Sequence, residues 1–473
     1  MSKHLGFFSV LGTFSLFLTY RLITDHLKGV LPMTPRIVVT PIRALIDQPL
    51  QLSVYDLMPK QKVTIKVQTK DDNDAIFEAS ALYEANQDGN LHLASTAPLS
   101  GSYKGIDAEG LVWSMERIGK KHGDYFDKWN AEPLTYSFTL EDSSGKLLDT
   151  AHVHRKFYDE TVKRVPVHEA ELVGTLFHPD TAQAFPGVLV VGGSDGGVNE
   201  HAAALLASKG YTVLSLAYFG AEGVSKDLEN IPLEYFQKAT LWLKSHDAAD
   251  NTVSLIGYSR GGELALLLAS TYDDYQSVIA GAPGAYVTSG LRNTIYAPIP
   301  AWTQQNAPLP YLKFTYTAKH FLNIGKSILT RKPFSFLPIW SLSQAKATNL
   351  DAIRIPVEQV NAPLLTIAGE KDECWPSADY ARMVQHELHG KRTDNKHLYY
   401  EEGGHFLAFP YGLPGMPTST YMHVGGGMIM DFGGTKKREC RCRQRNVALC
   451  ARLLICAYEK DQFALFLGNW SFF

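Results

Sequence analysis

Apolar runs and helical stretches alternate along residues 187–270, and this alternation constrains the fold more than any other feature of the sequence. The run GVLVVGG (187–193) is continuously apolar and ends in glycines, which is typical of a strand buried on both faces. The following segments are predicted alternately as helix and strand: 201–209, 211–218, 233–245, TVSLIGYS (252–259) and 261–270. Strands and helices that alternate at this rhythm form a mostly parallel sheet with right-handed crossovers.

Two later stretches, LLTIAGEKD (364–372) and HLYYEEGGH (397–405), add strand-and-loop units to this sheet. Between residues 284 and 360 the regularity fades, and the chain is rich in proline and aromatic residues. A long insertion before the last strands of a sheet is typical of a lid or a substrate wall. The alternative is a surface elaboration without a role in the site.

Residues 34–157 follow a different pattern. Short alternating runs such as QLSVYDL, KVTIKVQTK and LTYSFTLED are separated by turn-rich stretches such as DDND and NQDGN. Several short strands at this spacing, enriched in β-branched and aromatic residues, predict an all-β, immunoglobulin-like sandwich.

Charge and cysteine content exclude some classes of protein. A formal net charge of −3 gives no reason to expect nucleic acid as a partner. Cys374 is the only cysteine in the first 430 residues, so the fold does not depend on a disulfide framework. The other four cysteines crowd a basic tail over residues 435–473, and their spacing is a weak match to a metal site.

The motif Gly257-Tyr258-Ser259-Arg260-Gly261 lies between a predicted strand and a predicted helix. In this context G-x-S-x-G is typical of a nucleophile elbow, in which a strained turn exposes the serine hydroxyl above the sheet. The alternative is a serine that only caps the helix. The motif predicts the α/β-hydrolase fold for residues 165–434, with Ser259 as nucleophile.

A serine hydroxyl needs a histidine base that is oriented by a carboxylate, and in this fold the chain order is serine, acid, histidine. Asp372 follows the strand LLTIAG, and His405 follows the strand HLYYEE, so both lie at the expected edge of the sheet. Less favoured candidates lie nearby in the sequence: Glu370, Glu373, Asp379, His386, His389 and His397.

The oxyanion hole needs two backbone N–H groups close to the nucleophile. We expect one from Arg260 and the other from Gly193 or Ser194, in the glycine-rich turn after the first buried strand. This turn lacks the lysine and the spacing of a P-loop. The sequence predicts neither a cofactor nor a metal.

Five stretches together resemble the family of acyl-CoA thioesterases and bile-acid-CoA:amino-acid N-acyltransferases. They read GSYKGIDAEGLVWSME (101–116), VGTLFHPDTAQAFPGVLVVGGSDGG (173–197), SLIGYSRGGELALLLAS (254–270), AGEKDECWPS (368–377) and GGHFLAFPY (403–411). Carried over position by position, the resemblance implies the triad Ser259, Asp372 and His405. It also implies a small-molecule acyl-CoA substrate and a covalent acyl-enzyme.

The resemblance leaves the fate of the acyl group open. Serine at position 259 resembles the nucleophile of the hydrolytic members, whereas the amino-acid-conjugating members look to use a cysteine at this position. We therefore expect an acyl-CoA thioesterase. The alternatives are an N-acyltransferase, a general carboxylesterase or dienelactone-type hydrolase, and a catalytically silent binding protein.

Two terminal segments depart from the family pattern. The composition of residues 435–473 indicates a tail that is not the family's own C-terminus. We interpret it as the product of a shifted reading frame, and we expect it to pack poorly on the core. Residues 1–33 contain the uncharged run LGFFSVLGTFSLFLTY (5–20). This run predicts membrane association, as an anchor with the domains facing the cytoplasm or as an uncleaved signal. An apolar helix packed on the protein, or a mis-assigned start, remains the alternative.

Overall fold

The computed structural model describes residues 34–119, 125–293, 295–391, 393–407, 412–424 and 427–458. Its first part is almost entirely β-structure. The elements, in chain order, are β1 (Arg36–Thr40), β2 (Arg43–Leu45), β3 (Gln51–Tyr55), β4 (Lys62–Lys70), β5 (Ile76–Glu84), β6 (Leu91–His92), β7 (Ser100–Gly101), the short helix α1 (Gly110–Trp113), β8 (Glu116–Arg117), β9 (Leu134–Asp142) and β10 (Leu147–Lys156).

These strands form two sheets that face each other across a shared core. One sheet has the order β1-β3-β6, and the other has the order β2-β10-β9-β4-β5-β7, with β8 also paired to β5. Along β4, the alternate residues Val63, Ile65 and Val67 are fully buried while the intervening polar side chains face outward. This period of two places one apolar face of each sheet against the other. The predicted sandwich is therefore present.

The second part begins with alternating strands and helices. Its elements are β11 (Val162–Glu169), β12 (Leu172–Pro179), β13 (Phe185–Val191), α2 (Glu200–Ala207), β14 (Thr212–Ala217), β15 (Ile231–Pro232), α3 (Leu233–Ser245), β16 (Ala249–Tyr258), α4 (Arg260–Thr271) and β17 (Val278–Gly281).

The rest of the chain adds the insertion and the last strands. Its elements are β18 (Ser289–Arg292), β19 (Ile295–Pro300), β20 (Trp302–Gln304), β21 (Ala307–Pro308), α5 (Ala318–Thr330), α6 (Leu337–Lys346), α7 (Leu350–Ile353), β22 (Leu364–Gly369), α8 (Ser377–Glu387), β23 (Lys396–Tyr400), β24 (Tyr421–His423), β25 (Ile429–Asp431) and α9 (Lys436–Tyr458), with 3₁₀ turns at Val357–Gln359 and His405–Leu407.

Eight strands form the central sheet, in the order β11-β12-β14-β13-β16-β17-β22-β23. The strands from β14 onward in this order run parallel to one another, and β12 is antiparallel to both of its neighbours. An eight-stranded sheet of this order, flanked by helices, is the α/β-hydrolase fold. Because β13, β16, β22 and β23 are parallel, their carboxyl ends open at one edge, where the loops to Gly193, Ser259, Asp372 and His405 begin.

The insertion is more regular than its sequence suggests. It contains two small hairpins and the helices α5, α6 and α7. The hydroxyl of Thr317 accepts a hydrogen bond from the N–H of His320 and so caps the start of α5. Pro338 lies in the first turn of α6, where a missing N–H costs nothing. The prolines and aromatic residues therefore make these helices hard to predict from the sequence, but they do not prevent the helices from forming.

The tail forms a long helix that packs on the core. Cys440, Val447, Ala451 and Leu454 lie at helical spacing on α9 and are buried. The hydroxyl of Tyr211 donates to the carbonyl of Ala451 at 3.1 Å. The predicted poor fit of this segment is wrong as far as residue 454, because small cysteine and alanine side chains supply an apolar face within a basic sequence. Residues 459–473 lie outside the described part of the chain.

The predicted membrane segment over residues 5–20 also lies outside the described residues. Within the described ranges, none of the helices combines the length and the hydropathy that a membrane crossing requires.

Candidate active site

Ser259 occupies a strained turn between β16 and α4. Its backbone has φ 56° and ψ −120°, a left-handed conformation that costs a non-glycine residue about 1–3 kcal/mol. The N–H of Ser259 donates to the carbonyl of Gly281 at 2.8 Å, which ties the turn to the neighbouring strand. The turn therefore presents the hydroxyl at the carboxyl edge of the sheet, at the start of a helix.

The glycines of the motif are required by close backbone approach. A Cβ atom at Gly257 would lie 1.9 Å from the carbonyl oxygen of Gly261. A Cβ atom at Gly261 would lie 2.3 Å from the carbonyl oxygen of Gly192. Both distances are far below van der Waals contact, so the elbow keeps this shape only with glycine at these positions.

The structure brings Ser259, His405 and Asp372 together in a line of hydrogen bonds. His405 Nε2 lies 2.9 Å from Ser259 Oγ, and His405 Nδ1 lies 2.7 Å from Asp372 Oδ2. The three side chains come from loops after β16, β23 and β22, and all three residues are buried, with 8% or less of their surface exposed. This is the geometry in which an imidazole removes a proton from an alcohol.

Asp372 is held by four donors. Its Oδ1 atom accepts from the N–H groups of Cys374 at 2.9 Å and Trp375 at 3.2 Å. Its Oδ2 atom accepts from the hydroxyl of Ser377 at 2.6 Å in addition to the imidazole of His405. These contacts fix the carboxylate at the start of α8 and keep it directed at the ring.

The backbone of His405 is held on both sides. Its N–H donates to the carbonyl of Phe432 at 2.7 Å, and its carbonyl accepts from the hydroxyl of Tyr258. Glu439, on α9, accepts from the N–H of Gly404 at 2.6 Å. Sequence reasoning missed both positioning residues. Tyr258 occupies a variable position of the motif, so the motif assigns it no role. Glu439 lies in a segment whose basic composition gave no indication that it packs on the core.

Burial and charge act in opposite directions on His405. Burial lowers the pKa of its imidazole, but the Asp372 carboxylate and the neighbouring Cys374 together raise it by more, so the net shift is upward. Cys374 lies beside the ring, and burial raises the pKa of its thiol, which favours the neutral form. The ring therefore readily holds the proton that a serine nucleophile would release.

The less favoured acids and histidines are engaged elsewhere. Glu370 and Asp379 both pair with Arg382 on the surface, away from the nucleophile. His386 lies beside Glu387, and the Nδ1 atom of His397 bonds the hydroxyl of Thr366. The described contacts of Glu373 are backbone contacts with the insertion, and His389 follows the end of α8.

The glycine-rich turn lies against the nucleophile, as an oxyanion loop requires. A Cβ atom built on Gly193 would lie 3.5 Å from Ser259 Cβ, and Gly193 and Ser194 line the same cavity as the serine. The hydroxyl of Tyr218 fixes the turn by donating to the carbonyl of Gly192 at 2.8 Å. Burial raises the pKa of Asp195 to about 6, although its carboxylate accepts from the N–H of Gly193.

Arg260 is the residue predicted to supply the other donor from its backbone, and its side chain has a separate role. The guanidinium is fully buried and pairs with Glu263 at 3.0 Å. Glu263 also accepts from the hydroxyl of Thr288 at 2.6 Å and from the indole of Trp302 at 3.1 Å. This network anchors the first turn of α4 to the insertion.

A cavity of about 620 Å³ begins at Ser259 and extends under the insertion. Its wall is dominated by apolar side chains of the insertion and of β24 and β25, among them Tyr296, Phe321, Ile324, Phe334, Met422 and Met430. A volume of this size suits one small apolar ligand. The expectation that the insertion forms a substrate wall agrees with this arrangement.

Within the described residues, no group of three or more His, Cys, Asp or Glu side chains is arranged to hold a metal ion. Cys440, Cys442 and Cys450 are buried as free thiols on α9.

Two family models match the chain. The acyl-CoA thioester hydrolase/BAAT N-terminal region matches residues 47–169, and the BAAT/acyl-CoA thioester hydrolase C-terminal region matches residues 231–446. Acyl-coenzyme A thioesterase 1 of Rattus norvegicus is 32% identical over 409 residues, which cover 84% of this chain and 90% of the relative. The chain belongs to the acyl-CoA thioester hydrolase/BAAT family.

Another member of the acyl-CoA thioester hydrolase/BAAT family gives a similar match. Acyl-coenzyme A thioesterase 6 of Homo sapiens is 30% identical over 411 residues, which cover 85% of this chain and 91% of the relative. The family match continues to residue 446, twelve residues beyond Gly434. The hypothesis that the family sequence ends near residue 434 is therefore wrong for the first half of α9.

Solved structures also resemble this acyl-CoA thioester hydrolase/BAAT family member, at low scores. A putative dienelactone hydrolase from Klebsiella pneumoniae has a TM-score of 0.32 and 16% identity, covering 52% of this chain and 86% of that one. An acylaminoacyl peptidase from Pyrococcus horikoshii has a TM-score of 0.39 and 13% identity, covering 86% of this chain and 74% of that one.

Proposed function

We propose that this protein hydrolyses acyl-CoA thioesters through a serine acyl-enzyme, with Ser259 as nucleophile, His405 as base and Asp372 as its orienting acid. The observation that carries the proposal is the 2.9 Å contact between Ser259 Oγ and His405 Nε2 at the head of an apolar cavity. Relatives of similar length are named acyl-coenzyme A thioesterases, which supports the substrate class.

The first half-reaction transfers the acyl group to the enzyme. Ser259 Oγ attacks the thioester carbonyl while His405 Nε2 takes its proton, and the carbonyl oxygen becomes an oxyanion. In this proposal the N–H groups of Arg260 and of Ser194 or Gly193 donate to that oxygen. The intermediate collapses by breaking the carbon–sulfur bond, and His405 returns the proton to the departing coenzyme A thiolate. An ester on Ser259 remains.

The second half-reaction reuses the same groups. His405 takes a proton from a water molecule, whose oxygen attacks the ester carbonyl. The second oxyanion collapses and releases the free carboxylic acid, and the proton returns to Ser259. Asp372 stabilises the imidazolium form of His405 in both halves, because its carboxylate faces the ring at 2.7 Å.

The lining of the cavity favours one class of acyl group. Its aromatic and methionine-rich wall offers few polar partners beyond the catalytic groups, so it favours an unsubstituted hydrocarbon chain over a polar acyl group. The Met422 and Met430 side chains adapt to chains of different shape.

A panel of CoA thioesters of graded chain length, followed by release of free thiol, tests the proposal. Turnover that is lost in Ser259→Ala, together with fluorophosphonate labelling that is lost in the same variant, supports it. Turnover of p-nitrophenyl esters without any thioester turnover would instead identify a carboxylesterase.

The choice between hydrolysis and transfer needs a second measurement. With acyl-CoA and either glycine or taurine present, we expect free acid as the sole acyl product. An amide product that depends on Ser259 would identify an N-acyltransferase.

A further inference from the structure

Helix α5 presents an apolar stripe to solvent at the outer wall of the cavity. Four of its large apolar side chains are exposed: Phe321 by 62%, Leu322 by 73%, Ile328 by 39% and Leu329 by 86%. The other three side chains follow Phe321 by one, seven and eight residues, which places all four on one face of the helix. The buried residues of α5 are His320 and Ser327, on a different face.

Such a stripe is unusual for a surface helix, whose exposed face is normally polar. None of the side chains in the described part of the molecule covers Leu322 or Leu329 enough to bury them.

The stretch of sequence that contains α5 carries charges of a single sign. Residues 275–350 contain no Asp or Glu, although the whole chain carries 48 acidic residues. The same stretch contains seven basic residues: Arg292, Lys313, Lys319, Lys326, Arg331, Lys332 and Lys346. Lys319 and Lys326 flank the apolar stripe and are exposed. They form no ion pair with any residue in the described ranges.

The helix connects this surface to the site. Phe321 and Ile324 line the cavity whose other end holds Ser259. The Phe321 ring stacks on Tyr316 with their centroids 5.7 Å apart. A surface that contacts the stripe would therefore lie next to the wall of the acyl cavity.

We propose that α5 is an interfacial helix that docks this protein on an anionic lipid surface. The Leu322 and Leu329 side chains enter the acyl-chain boundary, and Lys319 and Lys326 contact the headgroups. An apolar stripe flanked by lysines is the pattern of helices that lie in the membrane interface. The role of docking in delivering an acyl-CoA amphiphile to the cavity rests on the proposed function, whereas docking itself does not.

The pattern fits a lipid surface better than two other occupants. A second copy packed stripe to stripe would bring two sets of unpaired lysines together, and like charges repel. A nucleotide ligand would pair with the lysines but would leave the exposed leucines unexplained.

The test is co-sedimentation of the full chain with phosphatidylcholine vesicles, with and without phosphatidylserine. We expect binding to the anionic vesicles that weakens as salt increases. Leu322→Gln/Leu329→Gln and Lys319→Gln/Lys326→Gln should each weaken this binding about tenfold or more. The matched control is Met58→Gln/Ile106→Gln, which changes two exposed apolar residues of the sandwich and should bind as the unaltered protein does.

Several results would overturn the proposal. These are absence of binding, binding that the α5 variants do not weaken, and a dimer in sedimentation velocity that Leu322→Gln/Leu329→Gln dissociates. A loss of affinity for coenzyme A in Lys319→Gln/Lys326→Gln, with vesicle binding unchanged, would indicate a nucleotide site instead.

Hydrolysis of a soluble short-chain acyl-CoA without vesicles separates this proposal from the proposed function. We expect Leu322→Gln/Leu329→Gln to retain that activity, because neither side chain lines the cavity. Hydrolysis without vesicle binding rejects the docking surface alone, and vesicle binding without hydrolysis rejects the thioesterase alone.

Discussion

The carboxylate of Glu439 accepts a hydrogen bond from the backbone N–H of Gly404 at 2.6 Å, so a residue of α9 holds the loop that carries His405. Glu439 is fully buried, and this burial raises its pKa to about 7. Its ordinary pKa is 4.5, so the folded protein keeps the proton over a pH range in which the unfolded chain loses it.

The first prediction concerns Glu439→Gln. Because the folded-state pKa is raised, the contribution of Glu439 to stability is greatest below pH 4.5 and is lost as the pH rises to 7. Glutamine keeps an acceptor for Gly404 but does not titrate. The free energy of unfolding of the variant minus that of the unaltered protein should therefore be larger at pH 8 than at pH 4.5 by roughly 2–3 kcal/mol, which means that the variant is relatively more stable at the higher pH.

Urea unfolding at the two pH values measures this difference. Glu116→Gln is the matched control, because Glu116 contacts α9 through Lys436 but is 59% exposed. A relative stability of Glu439→Gln that does not change with pH would contradict the assignment.

The second prediction concerns the pH profile of Asp372→Asn. Burial lowers the pKa of His405, whereas the Asp372 carboxylate is the largest of the influences that raise it, and the net shift is upward. The base must be neutral to act, so kcat/KM rises with pH through this pKa. Removing the carboxylate takes away the largest influence that opposes burial, so the acidic limb of the profile should move to lower pH. The maximum rate should fall by about 10⁴ because the imidazole loses its orienting partner.

The measurement is kcat/KM between pH 5 and 10 for the two proteins. Asp379→Asn serves as control, since Asp379 is 75% exposed and pairs with Arg382 rather than His405. An acidic limb that stays in place, or moves to higher pH, would show that Asp372 does not set the pKa of His405.

The third prediction contrasts two glycines in helices. Gly261→Ala forces a Cβ atom to within 2.3 Å of the carbonyl oxygen of Gly192, so the elbow and the oxyanion turn must separate. We expect activity to fall at least 100-fold, with a destabilisation of about 1–3 kcal/mol. Gly325→Ala, where the new Cβ atom meets nothing within 4 Å, should instead stabilise α5 by about 1 kcal/mol.

Thermal unfolding and thioester turnover, measured on both variants, provide the comparison. Equal losses of activity in the two alanine variants would count against a specific role for the elbow geometry.

The fourth prediction concerns the volume of the cavity. Met430 lines its wall and is half-buried, so Met430→Trp should fill part of the space that a long acyl chain needs. The ratio of kcat/KM for long-chain over short-chain CoA thioesters should fall about tenfold. Met430→Leu, which nearly conserves volume, should leave the ratio close to its original value. A chain-length profile unaffected by tryptophan would place the acyl chain elsewhere.

Local sequence determined the elements that carry the candidate site. The alternation of β13, α2, β14, α3, β16 and α4 follows from continuous apolar runs bounded by glycine, and the predicted helix over Leu233–Ser245 has the same bounds in the structure. The loops bearing Ser259, Asp372 and His405 could be assigned because parallel strands bring their carboxyl ends to one edge.

Other features depended on contacts between residues distant in the chain, and no local pattern encodes those contacts. The sequence alone gave no indication that Tyr258 would anchor the carbonyl of His405, or that Glu439 would reach Gly404 from a helix of unusual composition. The cavity volume and the outward apolar stripe of α5 likewise depend on how the insertion packs against β24 and β25. Periodicity fixes which face of an element is apolar, whereas tertiary packing decides whether that face meets the core, the substrate or the solvent.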